Sequence, residues 1–595
     1  MSSLANILSQ IVSDAFEAQG LPRELGAVRV SDRPDLCQFQ CNGAMAAAKV
    51  AKKNPREVAA GVVDWLEVEY ARAERVDHSK PAPTSCNSIF AKVEIAGPGF
   101  INLDVKKSFI SNFLAENSQK ENGGIESVGD GQEVVLDYGG PNIAKAMHVG
   151  HLRSSIIGDC LRRIYLTAGY RAVGDVHMGD WGTPMGMILS ELDLMGHDGP
   201  VSMELLAEIY PKASGDCKAD EARMALAREA TRKLQDGDEA YTQRWREFID
   251  VSIAGMKANF DALGVHFDEW KGESDAHPFI QGMVEALKQA GWAVESDGAL
   301  VVPVERNDDT KEVPPLILLK SDGAVLYGTT DLATILDRVQ THHPVKIVYC
   351  VDQRQGLHFE QVFRAAEKLK GAGLVEELPE LVFAGFGTMN GTDGKPFKTR
   401  AGGVMRLEDL ISMGLEKARA RLDEANLAAE IGPEEREDIA HKVAIAAIKF
   451  ADLQNQRQSD YVFDLDRMTS FEGKTGPYLL YQAVRIQSLL KKAEDQAVNF
   501  DAAAFDVRDE DLSLALLLTE LSDHFDCALK NHTPHVLCDY AYRLAQEFSS
   551  FYGRCHILSE EDVTLRASRL ALCAQTHRTL VLLLGLLGIG IPARM

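Results

Sequence analysis

The chain has 595 residues, of which 25% are charged and 45% hydrophobic, and its formal net charge is −25. That length suggests about four structural units, and the ordinary composition excludes collagen, low-complexity disorder and a membrane bundle. An acidic total also excludes bulk coating of nucleic acid, although one local basic face could still bind it.

The N-terminal stretch carries Asp14 and Glu17 and no Lys or Arg before Arg23, so a secretory or transit peptide is not expected. Leu4, Ile7, Leu8, Ile11, Val12 and Phe16 fall on one helical face,. Lys92–Ile95 alternates as a strand, Gly97-Pro98-Gly99 turns it, and Phe100–Asp104 alternates again,. Residues 1–115 therefore read as a small α+β domain. Residues 116–131 are polar and glycine-rich and read as a linker.

Residues 132–405 alternate strand and helix. Glu133–Asp137 is an apolar strand, followed by a Gly-Gly-Pro-Asn loop. A helix is expected from about His151 to Ala168, with Leu152, Ile156, Cys160 and Ile164 at four-residue spacing and Gly169 as its stop,. Arg171–Val173 opens another strand, and 346–351 and 381–384 read as two more. This order predicts an α/β, doubly wound parallel sheet, with a helical insertion over about 190–300. From 406 to 595 only helices are expected, giving an all-α C-terminal domain.

The ten cysteines are scattered and form no Cys-x-x-Cys pair. They read as reduced core residues of a cytoplasmic protein rather than zinc ligands. The longest apolar run, Leu580–Pro592, is too short to span a bilayer comfortably,, so no membrane association is expected.

Two phosphate-loop patterns fail. Gly473-Lys474-Thr475 lacks the first glycine because position 468 is Met, and Gly385-Phe386-Gly387 meets Asn at 390,. The segment Pro141–His151 (PNIAKAMHVGH) is more informative, because it joins a parallel strand to a helix start. Such a start offers N–H groups and a positive dipole end to phosphate. Gly150 leaves a nucleotide room to approach the backbone. His148 and His151, three apart, face one ligand. A lone His-x-x-His is more often structural, and a zinc site would need a Glu between the histidines and a third ligand.

PNIAKAMHVGHLRSSIIGD resembles the HIGH signature region of class I aminoacyl-tRNA synthetases, specifically the arginyl-tRNA synthetase family. Gly179-Asp180-Trp181-Gly182, AGPGFINLDV (96–105), LYGTTDLATI (326–335), DQRQGLHFEQVF (352–363) and GKPFKTRAGG (394–403) match in the same order, as does the terminal Pro592–Met595. The resemblance implies an ATP-dependent ligase that forms arginyl-adenylate and passes arginine to the 2′-hydroxyl of the terminal adenosine of tRNA(Arg). It assigns ATP contacts to His148, Gly150, His151, Asp180 and Lys398. Lys145, His148, His151, Lys395 and Lys398 are the catalytic set, and Mg²⁺ comes with the triphosphate chemistry. The second family signature, KMSKS, survives only as the Lys-x-x-Lys spacing of Lys395 and Lys398 in a glycine-flanked loop. Lys145 matches the lysine thought to compensate for that loss.

For arginine the resemblance assigns Asn142, Tyr327, Asp331 and Gln355. A carboxylate takes a guanidinium through two parallel hydrogen bonds, which is the part expected of Asp331. The N-terminal domain is expected to meet tRNA, and the C-terminal domain to bind the anticodon. Arg566, Arg569 and Arg578 are candidate tRNA contacts, since no Asp or Glu occurs from Val563 to Met595,. A monomer is expected. The rival readings are another class I synthetase, such as the glutaminyl or cysteinyl enzyme, and an inactive synthetase-like RNA-binding protein. Departures from the family pattern are Gly139-Gly140 and Thr183-Pro184-Met185.

Overall fold

The computed structural model describes residues 3–73, 89–321, 323–391, 393–395, 397, 405–427 and 431–595. At the N-terminus, Val28–Val30, Phe39–Cys41, Phe100–Val105 and Phe90–Ala96 form, in that spatial order, an antiparallel sheet. The turn at Gly97–Gly99 joins its last two strands, and Gly97 and Gly99 both adopt positive φ there,. The helix Leu4–Glu17 buries Leu4, Leu8, Val12 and Phe16. The stretch read as a linker is partly helical and tied down. The helix Lys107–Ser118 runs into it, and the N–H groups of Val128 and Gly129 donate to the Ala168 carbonyl at 2.9 Å.

The central sheet contains β1 (Glu133–Asp137), β2 (Arg171–Asp175), β3 (Lys346–Tyr349) and β4 (Glu380–Phe383). All pairings are parallel, in the order β4-β3-β1-β2. Every residue of β1 is buried, as expected of a parallel strand covered on both faces. Its side chains alternate between two cores. Val134 and Leu136 join the larger core with the helix Gly150–Thr167 (α1). Val135 joins the second core with the helices Glu273–Gln289 (α2), Tyr327–His342 (α3) and Gly356–Gly371 (α4). From β1 the chain crosses through α1 to β2 on one side, while β3 flanks the other side. The crevice therefore opens at the carboxyl ends of β1 and β3, the topological switch point.

Two expectations need correction. The region about 190–300 is helical through α2, but Val294–Ser296, Ala299–Val302 and Leu316–Leu319 then form a three-stranded antiparallel sheet. Strands of three or four residues carry too little alternation to be read by period. The region after 406 is not helical throughout: Tyr461–Val462 pairs in parallel with Met389–Asn390.

The C-terminal helices grip α1 along its length. Buried Arg153 pairs with Asp452 at 3.1 Å and donates to the Ser459 carbonyl. Tyr165 Oη lies 2.7 Å from His532 Nε2. Lys449, fully buried, donates to the Gly588 carbonyl at 2.8 Å and lies 3.9 Å from Asp159. Burial lowers the Lys449 pKa to about 8.

Candidate active site

The loop leaving β1 begins at Tyr138, whose hydroxyl donates to the His266 carbonyl. Gly139 and Gly140 follow with φ of 86° and 44°, backbone that glycine adopts without strain. Ser154 of α1 fixes the loop: its Oγ accepts from Gly139 N–H at 2.9 Å and donates to the Cys350 carbonyl at 2.6 Å. Asn142 then forms a parallel bridge with Gly179. A Cβ at 179 would lie 2.2 Å from Asn142 Oδ1, so glycine there leaves the Asn142 side chain its place. Pro184 sits in the first turn of the helix Thr183–Met195, a position that suits its missing N–H.

His148 and His151 come together at the start of α1, with ring centroids 4.0 Å apart. His148 Nδ1 accepts from Gly150 N–H at 3.0 Å, and His151 Nδ1 accepts from His148 N–H at 3.1 Å. An Nδ1 that accepts carries no proton, so each neutral ring holds its proton on Nε2. Burial lowers both pKa values, with Lys145 adding to the effect on His148 and the neighbouring His148 ring to that on His151, which falls to about 3. The pair is therefore neutral at physiological pH and presents Nε2–H donors.

The expected row of open backbone donors is not what the helix start supplies. Gly150 N–H goes to His148 Nδ1, His151 N–H to the His148 carbonyl, and Leu152 N–H to the Val149 carbonyl. The space over Gly150 is filled by the His148 ring, which would lie 2.7 Å from a Cβ there.

A cavity of about 700 Å³ adjoins this loop, lined among others by Asn142, Lys145, Tyr210, Glu273 and Tyr327. Tyr327 opens α3 and is 74% exposed at the rim. Asp331 lies one turn further along α3, and its Oδ2 takes a 2.5 Å hydrogen bond from His358 Nε2 of α4. Gln355, exposed, is the residue preceding α4. Glu273, at the first turn of α2, is a residue that sequence reasoning missed. Burial first, then repulsion by Asp180 and Asp331, pushes its carboxyl up to about 7. In sequence it reads only as a helix-start acid. His358 lies inside a matched stretch, but nothing local assigned it a task.

Lys145 Nζ lies 4.7 Å from the centre of the Tyr210 ring, a cation–π distance. Lys395 is exposed in a turn closed by Gly391 N–H to its carbonyl at 2.7 Å. Lys398 lies outside the described residues. The chain re-emerges from that loop against the histidine segment: Val149 N–H donates to the Met405 carbonyl and Leu407 N–H to that of Met147, both at 3.0 Å.

Asp180 is not brought to the cavity surface. It is buried, and its carboxylate accepts Ser274 N–H at 2.9 Å and Ser274 O–H at 2.5 Å. A Cβ on Gly272 would fall about 2.5 Å from that carboxylate, so glycine makes room for it. The C-terminal arginines are also engaged differently from the expectation. Arg569 is buried between Asp511 at 3.1 Å and Glu560 at 2.8 Å. Arg594 pairs with Glu435. Arg566 donates to the Glu560 carbonyl, and exposed Arg578 to that of Ser118. Two of these four arginines are answered by acids from other segments, and the other two donate to backbone carbonyls.

The chain matches the family described as "tRNA synthetases class I (R), catalytic domain" over residues 110–465. It also matches the DALR anticodon binding domain over 479–595 and the arginyl tRNA synthetase N terminal domain over 2–81. The chain belongs to the arginyl-tRNA synthetase family. It is 49% identical to the arginine–tRNA ligase of Maricaulis maris and 48% identical to that of Hyphomonas neptunium, covering 100% of both chains in each case. The fold is that of the arginyl-tRNA synthetases of Plasmodium falciparum (TM-score 0.81, 24% identity) and Thermus thermophilus (0.78, 22%), again over 100% of each chain. The family's catalytic stretch continues past 406 to include the helices Leu407–Glu424 and Pro433–Leu453.

Proposed function

We infer that this chain is an arginine–tRNA ligase. In the first step a carboxylate oxygen of arginine attacks the α-phosphorus of ATP, the bond to the β-phosphate breaks, and pyrophosphate leaves. In the second, the 2′-hydroxyl of the terminal adenosine of tRNA(Arg) attacks the arginyl carbonyl, and AMP departs. Neither step needs a protein nucleophile. Both need reactants held in line and donors aimed at developing charge.

The observation that carries the reading is Glu273 lining one cavity beside Asn142 and Tyr327, with Asp331 close enough behind Thr330 for its charge to act on Glu273. A cavity with one carboxyl in its wall and a second beside it suits a permanently charged, planar guanidinium and disfavours a neutral side chain,. We assign the guanidinium to these acids, with Tyr327 at the rim and Gln355 at the start of α4. Asn142 takes the amino-acid backbone. The Nε2–H donors of His148 and His151 serve the triphosphate, and Lys145, Lys395 and Lys398 answer the charge of the leaving pyrophosphate.

We assign Mg²⁺ to the substrate. Among the described residues no three His, Cys, Asp or Glu side chains converge to hold a metal, and a hard ion that keeps most of its waters takes its ligands from phosphate oxygens. The helical domain that matches an anticodon-binding family serves tRNA(Arg), and we propose a cytoplasmic monomer. Among the described residues no helix is long and apolar enough to cross a membrane.

Pyrophosphate exchange, run with each amino acid with and without tRNA, tests the reading. Arginine alone should respond, and only with tRNA present. Response to glutamine or cysteine, or no response at all, refutes it.

A further inference from the structure

The hydrogen bond between His358 and Asp331 joins α4 to α3, the helix whose Tyr327 and Thr330 line the arginine cavity. Asp331 stands one turn into α3 and His358 at the third position of α4. Their side chains are 26% and 31% exposed. The pair is partly buried, but α3 and α4 already pack together through the second core, so holding the fold together does not account for it. Its position does more. His358 lies one turn beyond Gln355, and its ring packs edge-on against Phe359, which in turn packs against Tyr349 of β3. The ring is thus braced from α4 and the sheet while its Nε2 holds one oxygen of the carboxylate on α3.

An aspartate carboxylate rotates in a broad two-fold well about its last torsion. A guanidinium fork demands a carboxylate whose plane is fixed, because two parallel hydrogen bonds must form together. We propose that His358 is a positioning residue for arginine recognition: it holds Oδ2 of Asp331, sets the plane of that carboxylate, and so tunes the cavity for a planar cation. An ammonium ion has no plane to match, so the device favours a guanidinium over a lysine side chain. The proposal rests on the arginine–tRNA ligase reading and extends it to a residue outside the direct contacts.

Steady-state aminoacylation by full-length wild type, His358→Ala and His358→Gln tests it, with circular dichroism to check the fold. Losing one charge-assisted hydrogen bond on the recognition acid should raise the KM for arginine about tenfold and leave the KM for ATP within about twofold. His358→Gln keeps an N–H within reach of the same oxygen and should restore most of the loss. In an Asp331→Asn background, His358→Ala should add little further, since the group it positions is gone. An unchanged arginine KM in His358→Ala overturns the proposal. So does a parallel rise in both KM values, or a Gln variant no better than Ala. Wild type that fails to charge tRNA with arginine removes the functional reading and this proposal with it. Wild type that charges normally, matched by His358→Ala, removes the proposal alone.

Discussion

Glu273 gives the arginine cavity a built-in pH dependence. Its carboxyl is pushed from an ordinary 4.5 up to about 7 by burial and by the charges of Asp180 and Asp331. In the free protein the folded state holds this proton more tightly than the unfolded chain. Stability is therefore lost as pH rises from about 4.5 to about 7, and the full penalty, about 3 kcal/mol, stands above that range. A guanidinium beside Glu273 offsets that penalty by favouring the ionised form. Arginine thus binds best once the proton has left. A group of pKa about 7 is about one-tenth ionised at pH 6 and about nine-tenths at pH 8,. The KM for arginine should therefore fall about tenfold between those values while kcat changes much less. His151, whose pKa falls to about 3, stays neutral across this range. Aminoacylation at fixed saturating ATP and tRNA, from pH 6 to 8, measures the slope. Glu273→Gln should flatten it and leave the KM high throughout. A Glu273→Gln enzyme whose KM still falls tenfold over this range would refute the assignment.

Asp331→Asn should raise the KM for arginine at least tenfold, because a guanidinium then loses its fixed carboxylate; an unchanged KM removes Asp331 from arginine recognition. The same variant relieves repulsion on Glu273, so the midpoint of the pH dependence should move downward in the same assay. Nitrogen NMR of the imidazoles should find His148 and His151 protonated on Nε2 from pH 6 to 8, and an Nδ1–H form of either would contradict the hydrogen bonds at the start of α1. Lys449 has its pKa lowered to about 8 when folded, so wild type gains stability as pH rises from about 8 to about 10. Against Lys449→Met, wild type should improve by about 3 kcal/mol between pH 7 and pH 10 in denaturant unfolding, and a constant difference would mean the lysine is not charged against its burial.

Much of this protein was legible in one dimension. The strand Glu133–Asp137, the loop through Asn142 and the helix bearing His151 follow each other directly, so their order alone placed the two histidines at a strand-to-helix crossing. Tyr327 and Asp331 lie four apart in one helix, and that spacing put them on one face. Short-range geometry of this kind is fixed by backbone period and is open to sequence reasoning.

The rest was decided by segments far apart in the chain. Asp180 became the partner of Ser274, 94 positions away, and was withdrawn from the cavity. Arg569 met Asp511, 58 positions away, so one arginine of a stretch without acids was neutralised from outside it. His358 reached Asp331 across 27 positions, and Glu273 entered the cavity lined by Tyr327 from a helix that local pattern assigned only a capping acid. The histidine tautomers were set by which N–H each ring nitrogen met. Charge, protonation and the direction of a carboxylate are properties of what surrounds a group. The sequence supplied the groups, and the packing of distant elements supplied their surroundings.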